Sequence, residues 1–470
     1  MRYGRALLLC ASVGVTALCA ASESIEGLWK GQSGPADNRA TFALEIARSA
    51  GGELQASLSI DALGVFAQPL GAVQMSSAQS YAVPAADMTL TPSGNGLLAT
   101  GLLLDPKAEV ALLRATRRLA PPPRIEIPAG PKPLWTARLG GAIYAPAAVA
   151  QGVAFIGNSD GVFTAISIQD GRKLWAFAAG RPIFGEALAA DGAVFFVCDN
   201  GLLFRLDSAT GKEIWRYDLG GTNARRVLPN PFIFDYDYWS PRPVLADGVL
   251  YVGSADGTLH AVRADTGKTV WHMAGASAIR KSVVVAGSRL IFGSQAGLLR
   301  AVDRDTGAPL WHFDAKSPLT EPAVIAGKLL VGTRDSVLYA LDPADGHVLW
   351  SQYWWGSWVE STAVQRGGLA YVGSGDLASV SCIDPASGHN LWRTSVGGWV
   401  LQRPLVTDRL VYVGVSGARR AASFWPPQAS ALTVLDRSTG RALWQWNLPE
   451  QPGAFLHGFV AAPVLAEGKV

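Results

Sequence analysis

The sequence predicts an all-β chain: an eight-bladed β-propeller whose last blade is truncated, preceded by a small antiparallel β-sheet or barrel module. Three observations carry this. Trp135, Trp175, Trp215, Trp271, Trp311, Trp350, Trp392 and Trp444 follow one another at gaps of 40, 40, 56, 40, 39, 42 and 52 residues. A period near 40 made of short strands is the mark of propeller blades. The 52 glycines of the 470 residues fall at regular places between apolar runs and mark tight turns. Residues 23–120 alternate apolar and polar without sharing that period.

The stretch 255–271, ADGTLHAVRADTGKTVW, holds the grammar of one repeat. Asp256-Gly257 makes a turn, Thr258 to Val262 a strand, Thr266-Gly267 a second turn, and Val270-Trp271 opens the next strand. Each unit reads as strand A (Pro-x-Val), strand B (Leu-Tyr-Val-Gly), strand C (Leu-x-Ala-Leu-Asp) and strand D (Leu-Trp-x-Phe). Seven units fit, at 145–177, 185–217, 242–273, 281–313, 321–353, 361–394 and 403–446. An eighth begins at Ala462-Pro463-Val464 and stops at Lys469-Val470, at the start of its strand B. Trp135 is a strand D with no A, B or C before it, so the two leftover pieces are expected to meet and close the ring. On this reading the sequence is a truncated fragment, or the ring has a weak, open seam.

Within the repeat the residue types have local reasons. The C–D turn carries Asp-Gly or Thr-Gly because glycine takes φ > 0 cheaply. The Asp closing strand C (Asp207, Asp303, Asp342, Asp384, Asp436) is placed to accept hydrogen bonds from the turn backbone. Each Trp is expected to bury its face between neighbouring blades and to need one partner for its indole N–H.

Ahead of the repeat, Arg2 and Arg5 followed by the apolar run Ala6 to Leu18 and the small residues Ala20, Ala21 and Ser22 read as a secretory signal over 1–22. No further apolar run is long enough to span a bilayer, so the mature chain is expected to be exported, without a transmembrane segment. Without Arg2 and Arg5 there remain 38 basic against 37 acidic residues, which gives no case for nucleic acid as a partner. Cys10 and Cys19 leave with the signal; Cys198 and Cys382, far apart in the repeats, read as small buried strand residues. The β-module spans 23–120, with strand runs 41–46 and 54–60 around a Gly51-Gly52 turn and others at 88–90, 97–102 and 110–115. A Pro-rich linker, 121–133, leads into the propeller, 134–470.

Two resemblances follow. Ile25 to Gly31 (I-x-G-x-W-x-G) with Gly52 to Leu58 (G-x-L-x-A-x-L) resembles the lipocalin-like module found ahead of some secreted bacterial hydrolases. The A-x-D-x-x-T-G-x-x-x-W pattern of Ala301 to Trp311, kept in Ala261 to Trp271 except for Arg263 at the Asp position, is similar to the tryptophan-docking motif of pyrroloquinoline-quinone (PQQ) repeat propellers. That resemblance implies the propeller. It leaves two functions open, since the repeat serves quinoprotein dehydrogenases that bind PQQ and calcium, and non-catalytic propellers such as the outer-membrane assembly factor BamB.

The D–A loops and the starts of the A strands should ring the mouth of the central channel. By alignment that ring offers Ala145, Gly185, Arg242, Lys281, Glu321, Ser361, Arg403 and Ala462, with Tyr144, Arg181, Arg280, Trp358, Glu360, Trp399 and Gln402 in the loops. The insertion 221–240 adds Arg225, Arg226, Tyr236, Tyr238 and Trp239. This basic, aromatic funnel suits a small anionic ligand or a sugar. For a cofactor-binding site Arg242, Lys281, Arg403, Trp358 and Trp399 are the candidates, with Glu321 as metal ligand. Adjacent cysteines, a Cys-x-x-Cys-His haem motif and a nucleophile–base constellation are all missing from the sequence. The expected function is therefore an exported, non-catalytic binding or scaffold propeller with an envelope protein as partner. The alternative is a PQQ- and calcium-dependent dehydrogenase of alcohols or sugars.

Overall fold

The computed structural model describes residues 24–33, 39–63, 65–77, 79–84, 88–101, 109–120, 126–199, 201–220, 240–275, 277–354, 357–418, 430–448 and 456–470. The expected signal peptide and Arg225, Arg226, Tyr236, Tyr238 and Trp239 of the insertion lie outside them. No helix of the described residues is long and apolar enough to cross a membrane.

The first nine strands are β1 (Gly27–Ser33), β2 (Ala40–Arg48), β3 (Leu54–Ile60), β4 (Val65–Ala72), β5 (Gln74–Ser77), β6 (Ser80–Val83), β7 (Met88–Ser93), β8 (Gly96–Gly101) and β9 (Val110–Arg114). They form one antiparallel sheet in the order β4-β3-β2-β1-β9-β8-β7-β6-β5. The edge strands β4 and β5 are separated by Val73 alone, so the sheet curls into a nearly closed barrel. Alternation puts Phe42, Leu44, Leu58, Met88, Ala99, Val110 and Leu112 inside, around a small apolar cavity with room for about one water-sized probe. Gly31 is demanded by this closure, because a Cβ there would sit 2.2 Å from the Ala111 carbonyl oxygen. The sequence pattern missed β4, β5 and β6 because Pro69 and Gly71 interrupt the first and β5 is exposed throughout, so neither shows alternation.

Among the described residues the repeat region forms seven antiparallel sheets, six of four strands and the seventh of five. In blade one these are β10 (Ala148–Ala150), β11 (Val153–Gly157), β12 (Val162–Ser167) and β13 (Lys173–Ala178). Blades two to seven span 188–218, 244–273, 284–314, 323–353, 364–395 and 405–447. Their strands follow the order A-B-C-D across each sheet, and the A strands of neighbouring blades lie side by side around the axis. Blade seven gains a fifth piece, Leu456–Gly458, paired with Ser416–Ala418. Eight blades were expected, the last truncated; the described residues form seven complete blades, and residues 462–470 and 128–139 stand beside them as further fragments.

Those fragments are docked like their full counterparts. In each step around the ring an indole lies on the C–D turn glycine of the next blade: Trp175 on Gly211, Trp271 on Gly307, Trp311 on Gly346, Trp350 on Gly388. Its Nε1–H donates to a carbonyl one or two residues past the end of strand C, as Trp175 does to Ser208 at 3.0 Å, Trp271 to Arg304 at 3.1 Å and Trp311 to Pro343 at 3.2 Å. Trp135 repeats this on blade one, lying on Gly171 and donating to the Ile168 carbonyl at 3.1 Å. Trp444 of blade seven lies on Gly130, where a Cβ would sit 2.4 Å from the ring. The Gly130 N–H donates to the Gln445 carbonyl at 2.8 Å, and the Gln445 N–H to the Pro128 carbonyl at 2.9 Å. The segment 128–130 therefore closes the ring by running parallel to the outer strand of blade seven. At the inner side, Glu467 and Gly468 (φ 49° and 74°) reproduce the A–B turn of Gln151 and Gly152 (φ 49° and 75°), and Ala466 bridges Lys469.

Candidate binding mouth of the propeller

Strand pairing sets a common register for the mouth. Leu188 pairs with Phe195, Val244 with Tyr251, Val284 with Ile291, and Ala323 with Leu330, each as Ala148 pairs with Phe155. The residue two before each A strand is then Pro146, Glu186, Arg242, Ser282, Glu321, Thr362 and Arg403, with Ala462 at the eighth place. Alignment on the sequence alone had Arg242, Glu321, Arg403 and Ala462 in this register. It took Ala145, Gly185, Lys281 and Ser361 one residue early. The consequence is that Glu186 was missed, because blade two lacks the Pro-x-Val that anchors the motif; its strand-B aromatic, Phe195, was the available signal.

Glu186 organises the mouth. Arg403 Nη2 donates to both its carboxylate oxygens, at 2.9 and 2.7 Å. Arg242 Nη1 lies 4.0 Å from Glu186 Oε1. The side chains are 29 % exposed for Arg403 and 14 % for Glu186. Burial alone pulls the Arg403 pKa down, but the nearby carboxylates of Glu186 and Glu321 outweigh it and the pKa is raised. Blades seven and two are not neighbours, so this pair reaches across the mouth. Gln402 adds a second tie, its Nε2 donating to the Tyr144 carbonyl at 3.3 Å, and the Tyr144 ring packs edge-on against Phe184 at 5.2 Å.

The other candidates are placed differently. Lys281 is half-buried beside the buried Arg280. Trp358 lies beneath the Arg334 guanidinium, 4.7 Å from it, and Arg334 pairs with Glu360 at 3.3 Å in a site where the two side chains are 11 % and 3 % exposed. Trp399 is buried; its Nε1–H donates to Asp376 Oδ1 at 2.9 Å, and its backbone pairs with Ser416. Of the candidates, then, Arg242, Arg403 and Glu321 share one electrostatic site around Glu186. Trp358 belongs to a separate buried cluster, and Trp399 is anchored by its own polar atoms.

A family model described as outer membrane protein assembly factor BamB matches residues 128–227, 174–277, 234–353 and 334–470. The chain belongs to this BamB-like family of PQQ-repeat propellers. The match begins at Pro128, the residue whose carbonyl closes the ring. Among solved structures, BamB from Moraxella catarrhalis is similar at 19 % identity, with 73 % of this chain and 94 % of that one covered and a TM-score of 0.49. The computationally designed Ika8 protein shares 16 % identity over 65 % and 88 %, TM-score 0.51. The quinohemoprotein alcohol dehydrogenase ADHIIG from Pseudomonas putida HK5 shares 16 % over 71 % and 70 %, TM-score 0.50. Identities this low speak to the fold alone. The comparison with curated proteins gives no match.

Because PQQ-repeat propellers of this fold include quinoproteins, the mouth can be tested against that cofactor. An anionic quinone needs uncompensated cations, and a calcium ion needs a cluster of oxygen ligands. Arg403 and Arg242 both face Glu186, and Glu360 is paired with Arg334. Among the described residues, the acidic, His and Cys side chains close enough to share an ion are Asp342, Asp345 and His347, on the outer C–D turn of blade five and away from the mouth. Among the described residues of the mouth, Arg403 and Arg242 thus already face an acid, and no group of three acidic, His or Cys side chains stands there.

Proposed function

We propose that this BamB-like protein is an exported, non-catalytic scaffold that binds another protein of the bacterial envelope through its propeller. The observation that supports this most directly is the self-neutralised mouth. Glu186 occupies Arg403 on both oxygens and stands beside Arg242, so the cations that a quinone cofactor would use already have an acidic partner. Such a network of paired charges and packed aromatics is suited to steering and registering a protein surface. Two measurements on the exported protein test the reading. In-cell crosslinking followed by co-purification should recover an envelope protein. Titration with PQQ, with and without calcium, should leave the fluorescence of its tryptophans without saturable quenching. Saturable, calcium-dependent quenching at micromolar PQQ would replace the scaffold with a dehydrogenase.

A further inference from the structure

Three seams between neighbouring blades share one contact: a ring two residues after the docking tryptophan meets, edge-on, a ring on strand C of the next blade. Phe177 meets Phe204 at 5.4 Å, Phe313 meets Tyr339 at 5.2 Å, and Tyr217 meets His260 at 5.7 Å. Of these, the seam between blades two and three alone carries an imidazole. His272, His312, His347 and His389 are exposed, but His260 is 7 % exposed. Tyr217 holds it from blade two, with its hydroxyl 3.3 Å from His260 Nδ1 and 3.0 Å from Thr269 Oγ1. His260 Nε2 is buried and makes no hydrogen bond among the described residues. A neutral ring can leave that nitrogen as a bare lone pair. An imidazolium carries a proton on both nitrogens and needs an acceptor for each.

We propose that His260 is an acid-sensitive latch between blades two and three: the neutral ring seals the seam, and protonation loosens it while the Phe177–Phe204 and Phe313–Tyr339 seams stay closed. The groups around the ring come from four sides. The end of blade two brings Tyr217, Asp218 and the Leu219 carbonyl, the B–C turn brings Asp256, strand D of blade three brings His272 directly opposite, and strand B brings the apolar Val252. Both carboxylates are already engaged, Asp218 by the Gly220 N–H at 2.8 Å and Asp256 by the Thr258 N–H at 3.0 Å. Burial pushes the His260 pKa below its ordinary 6.5 and His272 adds to this, while Asp256, the Leu219 carbonyl and Asp218 offset only part. A histidine depressed in this way contributes stability that is present above about pH 6.5 and is lost as pH falls below it. Blade two carries Glu186 and blade three Arg242, 4.0 Å apart, so a seam that loosens here changes the spacing of charges at the mouth. The latch does not depend on what the mouth binds.

The test is amide hydrogen exchange of the whole chain between about pH 7.5 and about pH 5, an interval that brackets histidine titration, corrected for the intrinsic pH dependence of exchange. Residues 213–219 and 259–263 should lose about tenfold or more of their protection across it, relative to 309–314 and 337–341 at the Phe313–Tyr339 seam. His260→Phe, which copies Phe204, should abolish the difference, and His260→Tyr, which copies Tyr339, should do the same. Equal loss of protection at the two seams, or a seam-specific loss that persists in either folded variant, would overturn the latch. The two seams are compared within the unsubstituted protein, so that readout does not depend on how well a variant folds.

Discussion

Arg403 grips both carboxylate oxygens of Glu186, at 2.9 and 2.7 Å, across 217 residues of chain and across the mouth of the propeller. Replacing Glu186 with Gln leaves two half-buried arginines facing each other without their acid. Full burial would make that loss about 3–5 kcal/mol; with the pair partly exposed, solvent screening reduces the expected cost to about 1–3 kcal/mol. The double variant Glu186→Gln with Arg403→Met should recover part of it, because no uncompensated cation then remains at that position. Denaturant titration of the four proteins checks this, and strictly additive losses would mean the two residues do not interact.

The Arg334–Glu360 pair is deeper, and its rupture should cost more. Arg334→Met removes the cation that pairs with the buried Glu360 carboxylate and stacks on Trp358, an expected loss of about 3–5 kcal/mol. Glu360→Gln keeps a carbonyl acceptor for Arg334 and should cost less. If the two variants unfold at the same denaturant concentration, the charge at 360 carries no weight.

Ring closure can be tested at Gly130. A valine there would drive its side chain into the Trp444 ring and separate 128–130 from Gln445. The expected cost is about 1–3 kcal/mol for the overpacking, with faster proteolysis between 121 and 133. Trp444→Ala should reproduce the proteolysis, since it removes the same dock from the other side. A Gly130→Val protein with unchanged cleavage would show that the segment holds without Trp444.

A pH dependence follows from the C–D turns. The hydroxyls of Ser438 and Thr439 and their backbone N–H groups donate to Asp436 and lower its pKa from 3.8 to about 2. A carboxyl whose folded pKa is depressed contributes stability above its unfolded pKa, and that contribution fades as pH falls from about 4 towards about 2. Asp436→Asn should therefore flatten the acid side of the stability profile over that interval and leave its shape above about pH 5 unchanged. A profile parallel to that of the unsubstituted protein throughout would show that the turn does not favour the ionised Asp436.

The repeat was legible in the sequence because its causes are local. A tryptophan, a turn glycine and an aspartate at fixed offsets specify how each blade turns and where its indole docks, and the observed donors and acceptors of Trp175, Trp271, Asp303 and Asp436 repeat that specification. Cys198 and Cys382 are buried and unbridged, as small strand residues in an apolar run should be. The barrel was only half legible, since strands β4 to β6 lack the alternation that betrays a buried face.

What no local pattern carried was the outcome of closing a circle. Gly130 sits in a stretch that reads as linker, yet it takes the place of a turn glycine because Trp444, more than 300 residues later, arrives beside it. Glu186 lies in an A-strand approach that lacks the proline of the repeat, and it becomes the centre of the mouth only when Arg403 reaches it from the far side. Period and propensity act between neighbours in sequence, so the amino-acid order alone was enough for blade, turn and docking tryptophan. Contacts across the axis form only when the blades close into a ring, so the Arg403–Glu186 pair and the docking of Trp444 on Gly130 emerged only from the folded chain.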